Sequence, residues 1–146
     1  MMKNFILFML VSLILTTTSQ AQKATLFPTV AGDTVSTSSS LDTVSKVITV
    51  TAGYSAMGIQ VTGTKVSGAI TSKAYLYSSL DGTIYNLTDS SAAFANTAGA
   101  QSVFFTKTTT PYVYYKVQVR PPSTVPTTES LAVKVYYVLR KYDRTL

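Results

Sequence analysis

A two-residue alternation of apolar and polar side chains recurs along this chain and constrains its fold more than any other feature. It is cleanest in residues 112–120 (YVYYKVQVR), where every second residue from Val113 to Val119 lies on one face. A period of two is that of a β-strand. Similar runs, separated by turn residues at intervals of roughly 8–15 residues, occupy residues 46–51, 56–66, 72–80, 101–107 and 131–140. The sequence therefore predicts an all-β chain of about seven or eight short strands, arranged as an antiparallel, jelly-roll-like β-sandwich.

Asp81-Gly82 is the strongest turn signal, because it separates the alternating runs SKAYLYSSL and TIYNL. A two-residue type I′ turn needs positive φ at both positions, which Asp and Gly tolerate. We therefore expect a tight hairpin there, with a structural role for Asp81 in preference to a catalytic one. Elsewhere, Gly63 is expected to mark a bulge. Residues 88–100 are expected to form a loop with room for one helical turn, and the three prolines of 121–130 exclude that segment from a sheet.

The first 21 residues have the layout of a secretory signal peptide. Lys3 precedes the apolar run 5–15 (FILFMLVSLIL), and residues 19–21 (SQA) fit the small-x-small cleavage pattern. The alternative is a membrane anchor that is retained, but a spanning helix needs about 20 apolar residues and this run is shorter. We expect cleavage after Ala21 and export to the periplasm, the cell surface or the extracellular space. No later segment is apolar enough to span a bilayer.

The remainder is predicted to be one domain preceded by an arm. Residues 22–45 are rich in Ser and Thr and are expected to be extended, with one short strand near 33–36. Residues 46–146 are expected to form the sandwich domain, which at this length can bury a core without disulfides.

The side chains that this protein lacks restrict its chemistry. It has no cysteine and no histidine, and only six acidic residues. These absences exclude a thiolate nucleophile, a Ser-His-Asp triad and a metal held by Cys or His. A glycosidase needs two paired carboxylates, and no pair stands out among the scattered acids. We therefore expect a non-enzymatic protein with no catalytic residues, no cofactor and no metal.

The chain carries a formal net charge of +6. Its basic residues are mostly isolated, and only residues 140–144 (RKYDR) form a cluster. Such a chain could bind an anionic polysaccharide, lipopolysaccharide or nucleic acid. A solvated surface that keeps the protein soluble is the simpler interpretation and the one favoured here.

Several tyrosines and basic residues are expected to point outward from the strands as a contact face. Tyrosine is common at interfaces because it offers rigid amphipathic area. Three interpretations remain open: cross-strand pairs that only stabilise the sheet, a protein–protein contact, and a glycan site. Nucleic-acid binding has weaker support, because export argues against it. The candidate residues are Tyr75, Tyr77, Tyr114, Lys116, Arg120, Lys134 and Tyr136.

The strand-like segments run in the order AGDTV (31–35), TVSKVITVTAGYSAMGIQVTGTKVSG (43–68), YLYSSLDGTIYNL (75–87), PYVYYKVQV (111–119) and VKVYYVLRK (133–141). In this order the chain resembles small β-sandwich proteins of tailed bacteriophages and prophages, in which a hairpin of the form S-L-D-G-T-x-Y is usual. The resemblance implies a structural protein of the virion or the envelope that assembles with itself or with other coat or envelope proteins. The hairpin is also similar to that of discoidin-like sandwiches, which implies, as the alternative, a carbohydrate-binding adhesion module of the cell surface.

Overall fold

The computed structural model of the protein describes residues 25–26, 34–36, 43–122 and 128–141. These residues contain no helix, and their strands form two antiparallel sheets around one shared core. The predicted all-β architecture with two sheets, as in a β-sandwich, is confirmed. The predicted leader, residues 1–21, lies outside the described residues.

The strands assemble into sheets that we name A and B. In chain order they are β1 (Thr25–Leu26), β2 (Thr34–Ser36), β3 (Val44–Thr49), β4 (Tyr54–Ser67), β5 (Lys73–Ser79), β6 (Asn86–Ala93), β7 (Ala100–Lys107), β8 (Tyr114–Arg120) and β9 (Ser130–Lys141). Sheet A has the order β1-β9-β4-β7, and β2 also pairs with β9. Sheet B has the order β3-β8-β5-β6.

The chain folds back on itself as a nested antiparallel ladder. β5 pairs with β6, β4 with β7, β3 with β8, and β2 with β9. Successive pairs alternate between sheets B and A, and the β5–β8 and β4–β9 pairs join the ladder into two complete sheets. The closed end of the ladder is the loop at residues 80–85.

The core is built from the inward faces of both sheets. Sheet B contributes Ile48, Leu76 and Val117, and sheet A contributes Ile59 and Val61, all of them buried. Burying a side chain of this size stabilises the fold by about 1.5–3 kcal/mol. Every second residue of β8 is buried, as is every second residue in the first half of β9. The alternation read from the sequence therefore marks the core face correctly in these strands.

The connections between strands gather at two ends of the sandwich. Thr49 and Ser79 are both register partners of Tyr114, so the loops 50–53, 80–85 and 108–113 share one end. We call this the tip end. The opposite end carries the loops 68–72 and 94–99 and the residues that lead into β9.

A buried carboxylate fixes that opposite end. Oε2 of Glu129 accepts hydrogen bonds from the amide of Ser72 at 3.2 Å and the hydroxyl of Thr71 at 3.0 Å. It also accepts one from the Thr71 amide, and Oε1 accepts one from the Ser72 hydroxyl. Gly68 has φ of 71°, and a Cβ there would lie 1.4 Å from the carbonyl oxygen of Thr128. These contacts hold the β4–β5 loop against the segment that leads into β9.

The two-residue turn predicted at Asp81-Gly82 is wrong, although β5 and β6 do form a hairpin. Ser78 pairs with Asn86, and the connecting loop spans residues 80–85. Gly82 has φ of 76°, but no described residue other than glycine has a positive φ, so Asp81 cannot be part of a type I′ turn. The reason is that its side chain caps a longer loop through hydrogen bonds, as described below.

The loop predicted at residues 88–100 is wrong in its first half, because β6 continues to Ala93. All but one of the β6 residues are exposed. This edge strand buries almost no side chain, so its small polar residues give no alternation to detect.

Gly63 does not mark a bulge. The irregularities of β4 fall instead at residues 54–56 and 65–67. A Cβ at Gly63 would lie 3.0 Å from the ring of Phe94. The glycine therefore makes room for a buried aromatic ring that packs across the strand.

The predicted arm, residues 22–45, contributes two short strands to sheet A. β1 and β2 both pair with β9, opposite Tyr136–Tyr137 and Ser130–Ala132 respectively. β2 coincides with the short strand predicted near 33–36. β3 begins at Val44, slightly before the predicted domain boundary at residue 46.

Candidate functional site

The seven predicted contact residues lie on the outer faces of both sheets. Sheet B carries five of them, Tyr75, Tyr77, Tyr114, Lys116 and Arg120, and sheet A carries Lys134 and Tyr136. Because the core separates the sheets, the structure divides the predicted face into two surfaces.

We call the outer face of sheet B the tyrosine–cation face, after Tyr75, Tyr77, Tyr85, Lys116 and Arg120. Nζ of Lys116 lies 5.3 Å from the ring centroid of Tyr77 and 4.1 Å from that of Tyr85. The guanidinium carbon of Arg120 lies 4.4 Å from the ring centroid of Tyr75. Such contacts contribute about 0.5–1 kcal/mol each at exposed sites. Tyr75 and Tyr77 therefore stabilise sheet B by cross-strand contacts with cations, and Tyr85 of the loop at residues 80–85 contacts Lys116 in the same way.

The tyrosine–cation face is electropositive. Lys73 stands opposite Arg120 in the register of β5 and β8, and Lys116 stands opposite Tyr77. None of the three cations forms an ion pair with a carboxylate of the described residues. Tyr75 is only 9% exposed, and the neighbouring rings are partly covered by cations. This face therefore offers little flat aromatic surface on which a sugar could stack.

The loop at residues 80–85, which we call the tip loop, is organised by Asp81. Oδ1 accepts hydrogen bonds from the Ser79 hydroxyl at 2.8 Å and the Thr83 amide at 2.8 Å. It also accepts one from the Ile84 amide at 3.0 Å, while Oδ2 accepts one from the Thr83 hydroxyl at 2.6 Å. These bonds, that of the Thr83 hydroxyl foremost, hold the pKa of Asp81 well below its usual value. The carboxylate thus stays ionised and caps the loop.

Gly82 seats the tip loop on sheet B. Its amide donates a hydrogen bond to the Ser79 hydroxyl at 3.0 Å. A Cβ at this position would lie 3.2 Å from the ring of Tyr114. Tyr114, one of the predicted contact residues, therefore supports the loop from below.

Three large apolar side chains are exposed in and beside the tip loop. Leu80 is 66% exposed, Ile84 71% and Leu87 57%. Single exposed apolar residues are normal on a protein surface, but a concentration of them marks an interaction site. The Asp81 hydrogen bonds hold Leu80 and Ile84 on a backbone of fixed conformation, which lowers the entropic cost of a contact.

On sheet A, Tyr136 lines a shallow groove of about 160 Å³ that the sequence analysis missed. Phe104, which is 68% exposed, and Tyr136 flank Gln60 in the register of three neighbouring strands. Gly58 lies on the same face of β4, and the side chain of Val138 packs over it, since a Cβ at Gly58 would lie 3.2 Å from Val138 Cγ1. The sequence did hold a signal, because one of the adjacent residues Phe104 and Phe105 must face outward from a strand.

A row of polar side chains borders this groove. Nε2 of Gln60 donates a hydrogen bond to the Ser102 hydroxyl at 3.0 Å, and the hydroxyls of Ser102 and Thr62 lie 2.9 Å apart. Lys134 stands beside Thr62 in register and is exposed. The hydroxyls hold one end of the Gln60 amide and leave its other end, Oε1, available to a ligand.

Acidic groups are sparse in the part of the chain that the structure describes. It has no group of three or more His, Cys, Asp or Glu residues suited to a metal ion. It also has no helix of the length and apolarity that a membrane span requires. Its acids are Asp81 in the tip loop, the buried Glu129, and Asp89, which pairs with Lys107 at 3.2 Å.

A scan against models of known protein families found no match to this chain, and a search of curated proteins found none either. The function has to be inferred from the surfaces themselves.

Proposed function

We propose that this chain is an exported, non-enzymatic jelly-roll protein of a phage-related type, part of the virion or the cell envelope, that associates with copies of itself through the tip loop. The jelly-roll assignment is supported by eight strands in the orders β2-β9-β4-β7 and β3-β8-β5-β6 with nested pairing. Jelly rolls are used both by viral capsid proteins and by lectins. Since a fold does not by itself imply a function, the choice rests on the surfaces.

The exposed apolar side chains on the capped tip loop carry this proposal. Leu80 and Ile84 project from a backbone that Asp81 ties to four donors. Burying either side chain in a contact would contribute about 1.5–3 kcal/mol. The tyrosine–cation face beside the loop adds polar and charged groups, which is the usual composition of an interface rim.

Sedimentation velocity over a wide range of protein concentration tests the proposal. The unmodified chain is expected to associate as its concentration rises. Leu80→Ser and Ile84→Ser should each weaken association by about tenfold, the factor that corresponds to ~1.4 kcal/mol. Val66→Ser is the matched control, because Val66 on β4 is apolar and 63% exposed but remote from the loop. A chain that stays monomeric at every concentration would overturn self-association. Normal association of the double variant that carries both Leu80→Ser and Ile84→Ser would show that the tip loop is not the contact.

Carbohydrate binding is the second candidate, and the groove on sheet A favours it. A sugar ring has an apolar face of C–H groups and an edge of hydroxyls. Phe104 and Tyr136 match the face, whereas Gln60 with its neighbouring hydroxyls matches the edge.

A glycan array probed with the labelled chain tests this candidate. Phe104→Ala should abolish binding to any glycan that the chain retains, because it removes the exposed aromatic wall. Tyr136→Ala should do the same by removing the other aromatic side chain of the groove, and Val66→Ala should have no effect. Binding that survives both groove variants would show that sugars do not use this surface.

A further inference from the structure

A cavity of about 600 Å³ opens at the tip end of the sandwich. It shares no lining residue with the tip loop, the tyrosine–cation face or the groove on sheet A. It lies between the start of β4, the end of β9 and the loop at residues 108–111. Its lining includes the cations Arg140 and Lys141 together with Thr108, Thr109 and Ser55, and no acidic residue among those that the structure describes. We call it the end cleft. Its volume lies in the range of about 300–1,000 Å³ that is typical of small-molecule sites.

The backbone shapes the end cleft. The register between β4 and β9 shifts between Tyr54 and Ala56, which leaves Ser55 as an extra residue at the rim. The Thr110 hydroxyl donates a hydrogen bond to the carbonyl oxygen of Tyr54 at 3.0 Å and so ties the 108–113 loop to β4. Bulges are frequent next to functional sites, where they redirect side chains.

The cations of the end cleft have no carboxylate partner among the described residues. Arg140 and Lys141 are both exposed, and neither forms an ion pair there. The described acids are already engaged: Asp81 caps the tip loop, Asp89 is paired with a lysine, and Glu129 is buried. Those parts of a second copy would therefore bring no free carboxylate to the cleft. An anion that pairs with these cations therefore has to come from outside the described residues.

We propose that the end cleft binds an oxyanion group, namely a sulfate, phosphate or carboxylate, either as a free ion or carried on a polysaccharide. The guanidinium fork of Arg140 matches two oxygens of such a group, and Lys141 adds a second positive charge. The threonine hydroxyls supply further donors. This inference goes beyond self-association and uses residues different from those of the tip loop.

Binding of fluorescent sulfated dextran to the full chain at fixed ionic strength tests the proposal, with neutral dextran of equal length as the reference. The chain should bind the sulfated polymer and not the neutral one. Arg140→Gln and Lys141→Gln should each weaken binding by about tenfold. Lys65→Gln is the matched control, because Lys65 is a cation on β4 that lies outside the cleft and outside the groove on sheet A, where it donates a hydrogen bond to Asn96 at 2.8 Å. Thr109→Val keeps the charge and removes a donor, and it should also weaken binding.

Competition by inorganic sulfate identifies the source of the oxyanion. Displacement of the dextran by millimolar sulfate supports a site that accepts the free ion. Retention of the dextran supports a site that needs the attached sugar, provided that the cleft variants still lose binding. An equal loss in Lys65→Gln and Arg140→Gln overturns the proposal, since it shows binding by diffuse surface charge. Equal affinity for neutral dextran overturns it as well.

Discussion

Removing the carboxylate of Glu129 should open the end of the sandwich that lies opposite the tip end. In Glu129→Ala, the amides and hydroxyls of Thr71 and Ser72 lose their common acceptor. Ser72 is fully buried, so water cannot replace the carboxylate unless the loop moves. A buried donor without an acceptor costs about 1–3 kcal/mol, and the two amides, unlike the hydroxyls, cannot turn to another partner. The expected loss is therefore about 2–6 kcal/mol, out of a total stability of about 5–15 kcal/mol for a typical domain.

Glu129→Gln separates the loss of the acceptor from the loss of the charge. Its amide oxygen, placed where Oε2 lies, can still accept from both amides and from the Thr71 hydroxyl. Its NH₂ group would face the Ser72 hydroxyl, which can rotate and accept. Glu129→Gln loses only the difference in strength between charged and neutral hydrogen bonds. We therefore expect its free energy of unfolding to fall by about 1–2 kcal/mol.

Urea unfolding of the chain and both variants measures these losses, followed by circular dichroism and by the fluorescence of its ten tyrosines. Linear extrapolation gives each free energy of unfolding in water. The reasoning fails if Glu129→Ala costs less than about 1 kcal/mol. It also fails if the alanine and glutamine variants are equally destabilised, because the acceptor itself would then be irrelevant.

Three further predictions concern the turns and sheet B. Gly68→Ala should destabilise the fold far more than Gly53→Ala in urea unfolding. Both glycines have positive φ, but only at Gly68 would a Cβ collide with backbone, since nothing lies within 4 Å at Gly53; equal losses would contradict this. The folded pKa of Asp81 lies below its unfolded value, so its stabilising effect is complete above the ordinary pKa of 3.8 and is lost as pH falls through the folded pKa. Amide signals of the tip loop in NMR should therefore shift only below pH 3.8, and a midpoint at that value would refute the cap. A double-mutant cycle of Arg120→Gln with Tyr75→Leu should give a coupling of about 0.5–1 kcal/mol, whereas zero coupling would exclude the cation–π contact.

Alternation in the sequence predicts the fold well wherever a strand buries one face. β8 and the first half of β9 are such strands, and their inward residues were correctly identified. β6 is an edge strand with almost no buried side chain, so its hydrogen bonds to β5 leave no trace in the pattern. The tip loop was mispredicted for a related reason. Asp81 and Gly82 favour a tight turn locally, but the side-chain bonds of Asp81 stabilise a longer loop.

The seven predicted contact residues lie on two surfaces instead of one. Alternation in the sequence shows which residues point outward, but it does not show to which sheet their strand belongs. Tyr75 and Tyr136 are both outward, but they lie on opposite sides of the core. Sheet membership depends on pairing between strands that are distant in sequence, such as β2 with β9. The end cleft was missed for the same reason. Arg140 and Tyr54 are far apart in the sequence, and the pairing of β4 with β9 brings them together.

The two ends of the sandwich differ in a way that bears on both proposals. One end is closed by the buried carboxylate of Glu129 and by a close backbone approach at Gly68, and the other end carries exposed loops. The tip loop and the end cleft share that other end, yet they rely on different physical effects. In the proposed contacts Leu80 and Ile84 would act through apolar burial, which salt does not weaken, whereas Arg140 would act through charge, which salt screens. If both proposals hold, high salt should leave self-association intact and abolish the binding of sulfated dextran. Either proposal can be refuted without the other.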